Sequence, residues 1–121
     1  MTRTLLTVLF LALFSQTAGA NTVYYCAGTQ FTEIKASKLK NFKPQNFKFS
    51  VDQKSVTFGS DGFFAGSKFL IESWVSEVLW KAADAGFGTT AFQDGEFVAA
   101  LSFVGEDGAT GLLIGAKCDK F

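Results

Sequence analysis

From Val23 onward the apolar residues fall mostly at every second position, in short runs broken by glycine, asparagine and aspartate. Only an extended strand sends alternate side chains to opposite faces, so this period restricts the chain to an all-β fold. Phe47, Phe49 and Val51 alternate with Lys48, Ser50 and Asp52. After Asp52-Gln53-Lys54 the alternation resumes at Val56 and Phe58, which predicts a hairpin. Asp61-Gly62, Asp94-Gly95 and Asp107-Gly108 each stand between apolar runs, where the pair supplies the positive φ angles of tight turns. Strands are predicted over 23–31, 47–51, 55–59, 68–74, 75–83, 89–93, 97–104 and 111–119. The stretch 35–46 lacks the alternation and contains the single proline, Pro44, so it reads as a connection with a short helical turn over 36–41.

Parity selects the inward faces. Phe97, Ala99, Leu101 and Phe103 share one side of their strand, Leu112, Ile114, Ala116 and Cys118 share one side of theirs, and Tyr24 falls on the side of Cys26. About eight short antiparallel strands cannot safely leave two long edges free. A small barrel or sandwich is therefore expected, with up-and-down connectivity favoured.

Residues 1–20 have the layout of a cleavable export signal: Arg3, an apolar run from Leu5 to Phe14, and a small-x-small site at Ala18-Gly19-Ala20. The apolar run is about half the roughly 20 residues that cross a bilayer. Asn21 follows, where a lipoprotein would carry cysteine. The expectation is a signal peptide over 1–20 and a single exported β domain over 21–121, periplasmic or extracellular, with no transmembrane segment in the mature chain. Cys26 and Cys118 lie near opposite ends of that domain, and in an oxidising compartment they are expected to pair.

The chain has no histidine, which removes the usual general base and the usual zinc ligand. No metal, no cofactor and no enzymatic activity are expected. Gly59, Gly62 and Gly66 lie between strands and read as turn glycines, outside any phosphate-binding loop. Among Glu72, Glu77, Asp84 and Glu96 no spacing selects a catalytic pair. Glu72 and Glu77 read as solvent-facing, and Asp84 as part of a turn.

Charge is distributed unevenly. Six of the ten lysines lie between Glu33 and Lys54, while nine of the eleven acidic residues follow Ser55. Lys35, Lys38, Lys40 and Lys43, interleaved with Leu39 and Phe42, are candidate contacts for an anionic envelope component or a protein; the alternative is a solvated loop whose lysines keep a strand edge from aggregating. Export and a mature charge near zero argue against nucleic acid. Thirteen of the fifteen phenylalanines follow residue 20, enough for a packed interior or the lining of a cavity. A domain of this size favours the packed interior. Exposed aromatics near Phe63-Phe64 or Trp80 would mark a contact surface.

Tyr24-Tyr25-Cys26, the closing Cys118, the leader and the strand count together resemble the small periplasmic barrels that inhibit C-type lysozymes, which open on Tyr-x-Cys and tie it to a C-terminal cysteine. Trp80-Lys81 is similar to a tryptophan closely followed by lysine in that family. The resemblance implies an inhibitor of a cell-wall hydrolase acting through a protruding loop. The family's Ser-Gly-x-x-Tyr stands here as Ser60-Asp61-Gly62-Phe63-Phe64, with an extra aspartate and no tyrosine, so Ser60, Asp61, Phe63 and Phe64 are candidate loop contacts. An envelope structural protein using exposed aromatics is the remaining alternative.

Overall fold

The computed structural model describes residues 21–121; the leader over 1–20 lies outside the described residues. Nine strands follow one another: β1 (Thr22–Lys35), β2 (Lys38–Asn41), β3 (Phe47–Val51), β4 (Ser55–Phe58), β5 (Lys68–Ser76), β6 (Leu79–Asp84), β7 (Gly88–Gln93), β8 (Glu96–Gly105) and β9 (Gly108–Lys120). Every pairing is antiparallel. β1 and β3 to β9 run up and down in chain order, and β9 pairs back onto β1, closing an eight-stranded barrel.

Cys26 and Cys118 are direct partners in the β1–β9 ladder and form a disulfide with a Cα–Cα distance of 4.0 Å. The bond thus staples the first strand to the last at the seam where the ring closes. The inward parity expected from the cysteines holds along β1, β8 and β9: Tyr24, Cys26, Phe97, Ala99, Leu101, Leu112, Ile114, Ala116 and Cys118 are all buried. The interior is packed. Phe49, Phe69, Phe92, Phe97 and Trp80 fill it, with Trp80 stacked on Phe92 at 5.4 Å and edge-on to Phe49 at 5.6 Å.

Two sequence expectations are corrected. The expected helical turn over 36–41 is replaced by the tip of a hairpin and the strand β2, because the edge of β1 above β3 is free to accept a partner. The expected strand over 75–83 is divided by a turn at Glu77-Val78. No glycine or Asx residue announces that turn. It is held by its contacts: Ser76 Oγ accepts the Val78 amide at 3.2 Å, the Thr22 hydroxyl donates to Glu77, and Lys120 Nζ donates to Glu77 Oε1 at 2.9 Å.

This clasp ties the start of β1 and the end of β9 to the opposite wall. The Thr22 hydrogen bond, with that of the Lys120 ammonium, holds the Glu77 carboxyl below the usual glutamate range. A carboxyl depressed by folding adds stability above its unfolded-state pKa and loses it as pH falls through the lower folded value. Glu77→Gln should therefore be less stable than the parent at neutral pH, by under about 1 kcal/mol for so exposed a pair. The gap should close in acid, once pH has fallen through the lowered folded value and the carboxyl has taken up its proton. Urea denaturation at the two pH values measures this; a gap that persists in acid would place the effect in packing.

Candidate functional site

The barrel has unequal ends. The β3–β4, β5–β6 and β7–β8 turns lie at the end that holds both chain termini of the domain. At the other end β8, β9 and β1 continue past the rim: β7 stops pairing with β8 at Gly88–Leu101, whereas β8 and β9 remain paired to Gly105–Gly108. With β2 added to β1, the extension is a four-stranded wall standing over the barrel mouth.

A bulge decides which side chains face inward on that wall. Gly28 pairs with Ala116 and Gln30 with Gly115, so Thr29 is an extra residue in β1 and the parity reverses beyond it. Phe31, Glu33 and Lys35 turn inward, while Thr32 and Ile34 turn outward. A Cβ on Gly28 would clash with the Gln45 carbonyl oxygen, so the close crossing of the 42–46 connection requires glycine there.

Cross-strand register then sets three rows on the inner face. The lowest is Ala99, Ile114, Phe31 and Phe42, the last placed by the Phe42 amide donating to the Phe31 carbonyl at 2.9 Å. Above it run Leu101, Leu112, Glu33 and Lys40, and at the top Phe103, Thr110, Lys35 and Lys38. Each upper row passes from apolar to charged along its length. The face is amphipathic, and three lysines converge at its open side.

An aromatic floor lies at the foot of the wall. Phe42 meets Phe31 edge-on at 5.7 Å, Phe31 meets Phe63 at 5.3 Å, Phe63 stacks on Phe87 at 6.1 Å, and Phe87 meets Phe103 at 4.9 Å. These rings are partly exposed, unlike those below them. Lys40 Nζ sits 4.9 Å above the Phe42 ring, a cation–π contact that places its charge at the edge of the floor. Lys35 Nζ lies 3.8 Å from Asp107 Oδ2, both exposed, so the lysine stays available to solvent. A depression of about 620 Å³ opens beside the floor between the β6–β7 turn and the top of β8, lined by Asp84, Phe87, Ser102, Phe103 and Val104 among others.

Lys35, Lys38 and Lys40 are thus brought onto one surface. Lys43 is exposed in the connection after β2, outside the rows. The Ser60–Phe64 segment splits. Ser60 and Asp61 are exposed, and Asp61 borders a separate groove of about 470 Å³ on the outer wall with Tyr25, Lys48, Lys117 and Asp119, where charges of both signs are mixed. Phe63 joins the floor. Phe64 is 1% exposed and stacks on Phe58 at 4.5 Å, filling the top of the core; its ring and that of Trp80, 2% exposed, offer no contact surface. Phe31 and Glu33 were not legible as members of the site, since the reversal at Thr29 has no local signature, and Phe87 and Phe103 join it only through closure of the barrel.

The hairpin tip is Ala36-Ser37, with φ of 51° and 63°. Left-handed backbone at two non-glycine residues costs roughly 1 kcal/mol or more at each, and the β1–β2 ladder must offset it. No protein-family model matches this chain, and neither a curated protein nor a solved structure does.

Proposed function

We propose that the chain is an exported, non-enzymatic binding barrel whose working surface is the inner face of the four-stranded wall, and that its partner is anionic. The observation that carries this reading is the register placing Lys35, Lys38 and Lys40 on the same face as Phe31, Phe42 and Phe103, above partly exposed aromatic rings. Packed cores do not need cations gathered over their mouth, and an exposed aromatic surface with a polar, charged rim is the usual form of a docking site. Export rests on the leader and is supported by the seam disulfide, a bond that persists in oxidising compartments.

The test is affinity for polyglutamate as a plain polyanion, titrated against salt. Lys35→Gln/Lys38→Gln/Lys40→Gln should weaken binding about a hundredfold at low salt if each lysine contributes roughly 1 kcal/mol near a dense negative surface. The loss should shrink as salt rises, because exposed charges are screened. Unchanged affinity in the variant would remove this face from consideration.

A further inference from the structure

Among the described residues the strand β2 pairs with β1 alone; its other edge has no described strand beside it, and all four of its residues are exposed. The hairpin alternation fixes which backbone groups lie on that edge. Phe42 donates to Phe31, so in an antiparallel ladder Lys40 and Lys38 also exchange bonds with β1, opposite Glu33 and Lys35. Leu39 and Asn41 then direct their N–H and C=O groups away from the barrel. The open edge therefore presents two donors and two acceptors at strand spacing.

Deepening the reading that this face takes an anionic partner, we propose that the partner is an acidic, extended polypeptide segment that adds to β2 as a further antiparallel strand. The main chain of such a segment satisfies the free groups of Leu39 and Asn41, and its side chains alternate between two environments. Those on the inner side stand beside Lys38 and Lys40 and should be Glu or Asp. Those on the outer side stand beside Leu39, which is 72% exposed and neighbours the outward Ile34, and should be apolar. The selected pattern is acidic–apolar–acidic. A second copy of the chain is a poor occupant: β2 against β2 sets lysine against lysine on the inner side, and like charges placed opposite each other are destabilising. A lipid or carbohydrate anion meets the lysines but leaves the edge groups unpaired.

The probe is an acetylated, fluorescently labelled peptide of alternating valine and glutamate, compared with the same peptide N-methylated at every second amide, on the side that faces β2. Anisotropy gives affinity, and hydrogen exchange of the Leu39 and Asn41 amides gives the mode. The proposal expects the plain peptide to bind, N-methylation to weaken it by about tenfold or more, and both amides to slow in the complex. Leu39→Pro, which removes an outward N–H while leaving the lysines in place, should weaken the plain peptide without changing affinity for polyacrylate, a carboxylate polyanion with no amide backbone, in low salt; trypsin resistance shows whether that variant is folded. If both peptides bind equally and lose affinity alike in Lys38→Gln/Lys40→Gln, strand addition is overturned while the anionic face stands. If neither peptide nor polyglutamate binds in a lysine-dependent way, both readings fall and the lysines only guard the edge.

Discussion

Replacing Cys26 and Cys118 together by alanine is expected to lower the unfolding free energy by about 2–5 kcal/mol, with Tm falling by about 10–30 °C for a domain of this length. The bond links residues 92 apart in sequence, so nearly the whole described domain lies within the loop it closes. Cutting it releases an unfolded ensemble with much more freedom, while the β1–β9 ladder, continuous from Tyr24–Lys120 to Lys35–Thr110 apart from the bulge, still draws the ends together. The variant should therefore fold to the same barrel by far-ultraviolet circular dichroism and melt earlier. Reductant should reproduce the shift in the parent and leave the variant unmoved. A Tm loss of only a few degrees would mean that the ladder alone holds the seam.

Phe64→Ala should cost about 3–5 kcal/mol, a penalty normally confined to strand positions in the middle of a core. Phe64 belongs to the β4–β5 connection, yet its ring contacts Phe47 at 5.4 Å, Phe58 at 4.5 Å and Phe97 at 5.7 Å. Truncation leaves a void among rigid rings, which repack less readily than aliphatic side chains. Phe63→Ala, at the partly exposed floor, should cost clearly less. Urea denaturation of the two variants separates them, and a Phe64→Ala penalty below about 1 kcal/mol would contradict the packed interior.

The cylinder itself was legible because its information is local. Alternation from Phe97 to Phe103 and from Leu112 to Cys118 needs only period two and one fixed inward residue to assign faces. Asp94-Gly95 makes the turn its letters announce, with φ of 48° and 87°. The working end was hidden because its information is not local. Thr29 is an unremarkable strand residue whose status as a bulge depends on the pairing of β9 with β1. Ala36-Ser37 carries no turn signature, and Lys38-Leu39-Lys40 puts its apolar residue outward, so β2 gives no core-facing pattern to read. Glu77-Val78 turns because Thr22 and Lys120, distant in sequence, hold the carboxylate. The lysines could be named from the sequence, but the face they share with Phe31 and Phe103 follows only once the bulge has reversed the parity of β1.

An anionic partner is expected to land on the inner face of the wall. Amide chemical shifts recorded while polyglutamate is titrated into the isotopically labelled domain test that directly. The largest changes should fall on residues 33–42 and on Phe103 and Thr110, the two sides of the wall's inner face. Changes centred instead on Tyr25, Lys48 and Lys117, at the outer groove, would contradict the assignment of the site.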